Sequence, residues 1–352
     1  MKSIVFPILL ASLAAMVPAA APVPQRDTVR ADVNVVSIYF TVRDKRERLV
    51  TGLTKDAFKV VENGKPQQIS FFADHNDLPM NVGVLLDTST VMARTLGLEA
   101  NAASQFFRTV MRPNDQGFLV SYAAHVETLQ VPIEDAVRLA DRAQDIRKGA
   151  RIFDDGPLPT QGTPRTTQPF PIPGRLPVPV TMPPNIPDTS SLRVAKLYDA
   201  VNESVERFLS PEFGRKVLVI AALADDAHSE STLRDALKTL KENDVIAYVL
   251  EVQHAPRSGR DDCDIRHIFR NEDEFRISRL AVETGGRVIR VEGFEKMQAA
   301  FEQIADELHH QYSIGYRPAN QDWDGAFRKV SIDAGKRFKV SARDGYYANL
   351  RH

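Results

Sequence analysis

The spacing of hydrophobic and polar positions changes character along this chain, and each change marks a different kind of structure. Val33 to Val42 is crowded with β-branched and aromatic residues and predicts one long strand. Leu49 to Leu53 restarts an apolar pattern after a charged turn at Asp44 to Arg48. Phe58–Glu62 and Gln68–Phe72 predict two more strands, joined through Asn63-Gly64, a dipeptide suited to tight hairpin turns. Nothing helical of useful length precedes Pro79. Residues 32–78 are therefore expected to form a small β-sandwich-like module without a catalytic cluster.

From Met80 onward strands alternate with helical patterns, which implies βαβ units and a mostly parallel sheet flanked by helices. Helices are expected over about Leu98–Val110, Glu134–Arg147, Ser191–Leu209, Ser231–Asn243 (with Ser231 as its cap), Phe275–Thr284 and Phe294–His310. Strands are expected at Gln116–Ala123, Val126–Val131, Lys216–Leu223, Val245–Val252 and Arg287–Val291. Gly156 to Pro187 interrupts this rhythm with dense proline, threonine and glycine. That composition sustains neither helix nor central strand, so 149–190 is read as a solvated insertion. The tail returns to β at Tyr312–Tyr316, Phe327–Ile332 and Phe338–Ala342, and 312–352 is expected to pack with the N-terminal module. The α/β domain then spans 79–311.

The central stretch is Val82-Gly83-Val84-Leu85-Leu86-Asp87-Thr88-Ser89-Thr90. Its apolar run reads as a strand buried on both faces, ending in an aspartate and three hydroxyl residues. Ligands of open α/β sheets sit beyond the carboxyl ends of the strands, which is where these four residues fall. Asp87 or Ser89 could equally act only as a cap for the helix that follows.

At 352 residues the chain has room for two or three domains, and a net charge of -1 gives no argument for nucleic acid or an anionic membrane as partner. A single cysteine, Cys263, excludes an internal disulfide framework. Lys2, the apolar run Ile4–Val17 and the small residues Ala19, Ala20 and Ala21 have the order of a secretory signal peptide. Cleavage is expected after Ala19, leaving 20–31 as a linker and a secreted or periplasmic protein. No later stretch approaches the about 20 apolar residues of a membrane helix.

The elements Val42-Arg43-Asp44, Gly52-Leu53, Phe58 to Lys65, Phe71-Phe72, Leu197-Tyr198-Asp199-Ala200, Tyr312 to Pro318 and Arg343 to Tyr347 occur in an order that resembles the von Willebrand factor A-related secreted proteins of the acidobacterial type. The resemblance covers nearly the whole chain apart from the leader and the insertion. It implies a Rossmann-like von Willebrand A domain plus a β module built from both termini, and an adhesion-type, protein-binding role. It also implies a metal-ion-dependent adhesion site of the pattern Asp-x-Ser-x-Ser, a threonine from a later loop and an aspartate after the central strand. Position by position, Asp87, Ser89 and Asp225 match as metal ligands, while Val91 and Ala195 replace a serine and the threonine, and Asp226 replaces the usual glycine. The expected site is degenerate, holding either no cofactor or weakly bound Mg2+. Thr88, Thr90, Lys196 and Asp226 would form an interaction rim, and the Lys196 ammonium could neutralise Asp87 and Asp225 in place of a metal.

Asp261, Asp262, Asp264 and His267 cluster around Cys263, in a loop charged enough to be a solvated surface. Asn320-x-Asp322-x-Asp324-Gly325 resembles half of an EF-hand loop, but Ser331 stands where the bidentate glutamate belongs, so it reads as a turn. No nucleophile elbow, zinc-binding His-Glu-x-x-His, phosphate loop or dinucleotide fingerprint occurs. The sequence therefore favours a non-enzymatic binding protein with an unidentified protein partner. The alternatives are an exported enzyme or enzyme subunit using an unrecognised carboxylate pair, and a purely structural scaffold.

Overall fold

Every residue of the strand Met80–Asp87 is buried, as a strand covered on both faces requires. In the computed structural model, residues 35–74, 78–89, 96–149, 195–222, 226, 228–253, 276–293 and 296–349 are described. The expected leader, the Pro-rich insertion, Thr90, Val91, Asp225 and the cluster around Cys263 lie outside them.

The first strands are β1 (Val36–Arg43), β2 (Lys59–Glu62), β3 (Lys65–Gln67) and β4 (Ile69–Ala73). The α/β part follows with β5 (Met80–Asp87), α1 (Leu96–Val110), β6 (Gln116–Tyr122), β7 (Val126–Ile133), α2 (Ala136–Gly149) and α3 (Leu197–Ser204). It continues through β8 (Arg215–Ala222), α4 (Leu233–Glu242), β9 (Val245–Gln253), α5 (276–282), β10 (Val288–Glu292) and α6 (Met297–His309). The chain closes with β11 (Tyr312–Tyr316), β12 (Phe327–Asp333), β13 (Lys339–Ala342) and β14 (Gly345–Tyr347).

The central six-stranded sheet has the order β10-β9-β8-β5-β6-β7. All its pairings are parallel except that of β6 with the edge strand β7. Alternate residues of β5 feed two cores. Val82, Val84 and Leu86 pack with α1, α2 and α6 on one face, and Leu85 packs with α3, α4 and α5 on the other. Gly83 is required on that second face, because a Cβ there would meet the Phe118 ring at 2.0 Å.

The termini interleave. β1 pairs with β11 and β13, and β4 pairs with β11, giving the sheet β13-β1-β11-β4. The second small sheet, β14-β12-β2-β3, is likewise built from both ends of the chain. Phe40, Phe58, Tyr312 and Tyr346 lie in the core these sheets share.

Two local expectations need correction. The Asn63-Gly64 turn, with φ of 46° and 79°, joins β2 to β3 instead of to Gln68–Phe72, whose strand crosses to the other sheet. The cap of α4 is Thr232, not Ser231. Thr232 and Asp235 exchange side chain-to-backbone hydrogen bonds in a capping box.

Buried charges fasten the terminal β sheets to the α/β part, and Asn34–His352 forms one compact unit. Arg43 at the end of β1 pairs with Glu307 of α6, which also pairs with Arg287. Arg343 pairs with Asp244 and donates to the Ser37 carbonyl at 2.8 Å, while Lys241 bridges Glu283 and Asp344.

Candidate functional site

Numbered within the α/β part, the central sheet has the order 3-2-1-4-5-6, which reverses direction between β5 and β8. A crevice opens at the carboxyl end of such a junction, and Asp87 is the last residue of β5 there. Its carboxylate accepts the Ser89 amide at 2.9 Å, which curls the chain into a tight turn. Thr88 donates its amide to the Tyr122 carbonyl at 2.9 Å, extending the β5–β6 ladder by one bond. Asp87 and Ser89 are buried at 3% and 6% exposure, and Thr88 is half-buried.

Ala195 is buried, and Lys196 donates its amide to the Ala123 carbonyl at 3.0 Å, which pins the start of α3 to the end of β6. The Lys196 ammonium lies 3.6 Å from Asp199 and 4.0 Å from Glu230. Asp199 in turn accepts the amides of Glu230 and Ser231. Burial pushes its pKa up, but these hydrogen bonds outweigh that and hold it below the usual value. Asp226 accepts the Tyr198 amide and the Ser229 hydroxyl, while burial raises its pKa. Lys196 and Asp226 are thus bound into a network with Tyr198, Asp199 and Ser229.

Glu99 is the residue that sequence reasoning missed. It projects from α1 into the interior with 0% exposure, and neither carboxyl oxygen has a hydrogen-bond partner among the described residues. Burial, and then the charge of Asp87, push its pKa well above the ordinary range. Tyr122 beside it is raised by burial and by the same carboxylates, and donates its hydroxyl to the Ala221 carbonyl at 2.9 Å. A signal existed in the sequence: Glu99 interrupts the stripe Leu96, Ala100, Ala103, Phe107 at helical spacing.

As donors for a hard cation, Asp87 and Ser89 fit in kind, and Asp225, the third expected ligand, lies outside the described residues. The Ala195 methyl cannot ligate, and no group of three or more His, Cys, Asp or Glu suited to a metal occurs among the described residues. The EF-hand-like segment is an irregular loop between β11 and β12, bent at Gly325. Asn320 and Asp324 each accept a nearby amide at 3.0 Å, and the Arg328 guanidinium donates to the carbonyls of Asn320 and Asp322.

No family model and no curated protein matches the chain. Among solved structures it is similar to proximal thread matrix protein 1 from the mussel byssus, at 12% identity and a TM-score of 0.42, over 66% of this chain and 49% of that one. The chain thus spans about half the length of that protein, one structure of which has a zinc-occupied MIDAS motif. It is also similar to an aerotolerance-related membrane protein from Bacteroides fragilis, at 16% identity and a TM-score of 0.40, over 65% of this chain and 98% of that one. The protein BatB from Bacteroides thetaiotaomicron follows at 14% identity and a TM-score of 0.38, over 65% and 98%.

Proposed function

We propose that this chain is an exported, non-enzymatic binding protein whose von Willebrand A-like domain presents the carboxyl edge of its central sheet to a protein partner. The observation that carries this reading is the Asp87-Thr88-Ser89 turn, held at the point where the strand order reverses. Asp225 and Thr90 would complete the rim by their places in the sequence. Export rests on the Lys2 and Ile4–Val17 pattern, and no helix among the described residues is long and apolar enough to cross a membrane. The enzyme alternative would draw on Asp87 and Glu99 as a carboxylate pair. Complete burial of Glu99 keeps it from any substrate that approaches through solvent, and within the turn Thr88 is the residue left half-exposed to a partner.

Capture from the exported fraction tests the rim. Immobilised wild type should retain a specific protein that the Thr88→Arg variant loses. Retention of the same proteins by both would remove the Asp87 edge from the interface.

A sparse ligand set predicts weak cation binding. Millimolar Mg2+ or Mn2+ should shift the melting temperature of the wild type little. The double change Val91→Ser with Ala195→Thr should enlarge the shift, measured against each protein in EDTA because Ala195 is buried. Micromolar affinity in the unmodified protein, abolished by Asp87→Ala, would overturn the degenerate-site reading.

A further inference from the structure

The chain-wide balance of -1 conceals a segregation of charge. Residues 35–74 and 312–349, which build the two small sheets, hold 14 Lys and Arg against 9 Asp and Glu. Much of that excess gathers at one tip, where three turns meet. The turn after β1 is closed by the Asp44 amide on the Arg48 carbonyl at 3.0 Å. The connection from β12 to β13 bends at Gly335, whose φ is 83°. A single helical turn, Lys55–Ala57, leads into β2. Register sets these segments together. Lys339 lies opposite Arg43 and Asp333 opposite Lys59, and the Lys339 ammonium reaches Glu47 at 3.2 Å.

Six cations at this tip, Lys45, Arg46, Lys55, Lys59, Lys336 and Arg337, are exposed, and none of them makes an ion pair. Of the neighbouring carboxylates, Asp44 is held by Arg48 and Glu47 by Lys339, which leaves Asp56 and Asp333 against the six. Leu53 and Phe338 turn inward onto the core of the two sheets, so the tip offers charge and little apolar surface.

We propose that this tip docks the protein on an anionic phospholipid surface by electrostatics alone. Four of the six cations are lysines, compact point charges that suit a fluid array of phosphates. A fixed acidic site on a protein would call for the planar forks of arginine instead. Turns at the end of a sandwich project outward and can meet a plane together, and each Lys or Arg near such a surface adds to the attraction. The Asp87 edge stays free in this attachment. Arg43 and Arg343 fasten the β sheets to Glu307 at the end of α6 and to Asp244 just before β9, at the amino edge of the central sheet. Asp87 ends β5 at the carboxyl edge.

The test is co-sedimentation of the exported protein with vesicles of phosphatidylcholine, alone or with about a third phosphatidylglycerol, at low and high salt. The protein should pellet with the anionic vesicles at low salt, leave them as salt rises, and ignore the neutral ones. Arg46→Glu with Arg337→Glu should weaken partition about tenfold or more. Lys65→Glu with Lys329→Glu imposes the same change of charge on exposed residues of β3 and β12 away from the tip, and should weaken it no more than about threefold. Circular dichroism of each variant verifies the fold, and Arg46→Gln with Arg337→Gln provides a milder pair for the same comparison.

Failure to pellet with anionic vesicles, equal pelleting with neutral ones, an unaffected tip variant or an equal loss from the Lys65 and Lys329 pair would overturn the proposal. Tip-dependent binding of soluble dextran sulfate without pelleting on anionic vesicles would also overturn it, and would reassign the tip to acidic polysaccharide.

Discussion

Replacement of Glu307 by leucine should lower the stability of this protein by about 3–5 kcal/mol, the usual result of leaving buried charge without its partner. Glu307 is 2% exposed and accepts two guanidiniums, Arg43 from the end of β1 and Arg287 from the approach to β10. Arg43 is itself 5% exposed, so the leucine variant would hold an arginine in the interior with no counter-charge. The site also joins the terminal β sheets to the last helix of the α/β part. The loss should therefore appear as a lower urea midpoint of one cooperative transition, with no early step confined to the β sheets. A companion variant with Arg43→Met, Glu307→Leu and Arg287→Met should recover most of the loss, because removing a whole buried ion cluster costs far less than breaking it. A Glu307→Leu variant within about 1 kcal/mol of wild type would show that the cluster is solvated and contributes no more than a surface pair.

The frame of the α/β part was legible in the sequence because its signals are local. The run ending at Asp87 has the uninterrupted apolarity of a doubly covered strand, and the residues after it fall where any such fold opens its crevice. The hairpin partner of β2 was misassigned because Pro66 argues against a strand. β3 is an edge strand, where proline loses no ladder bond that matters. β14 spans three residues, too few for a period to show. Choosing Thr232 over Ser231 needed only the residue three places on, since Asp235 completes a capping box with Thr232 alone. The ion pairs between the termini and the α/β part could not be read at all, because pairing of Arg43 with Glu307 leaves no trace in local spacing.

Glu99→Gln should stabilise the protein at neutral pH and do almost nothing in acid. The Glu99 carboxyl is fully buried, has no hydrogen-bond partner among the described residues, and sits near the charge of Asp87, so its pKa in the folded state lies well above the ordinary 4.5. Between 4.5 and that raised value the folded chain keeps a proton that the unfolded chain has released. Proton uptake on folding makes stability fall as pH rises, by up to about 1.4 kcal/mol per unit across that window. Below 4.5 both states are protonated and the penalty vanishes. Glutamine has nearly the same shape and does not titrate, so the gap between variant and wild type should open from pH 4 upward and reach about 1–3 kcal/mol near pH 7. Urea unfolding at both pH values in EDTA measures it, with any cation effect at Asp87 removed. Asp87→Asn in the same background should shrink the gap, since it removes the second cause of the raised pKa. Parallel stability curves would mean that Glu99 titrates alike in the folded and unfolded chain, and a glutamine variant that loses ground as pH rises would mean that a positive partner holds Glu99 ionised in the folded protein.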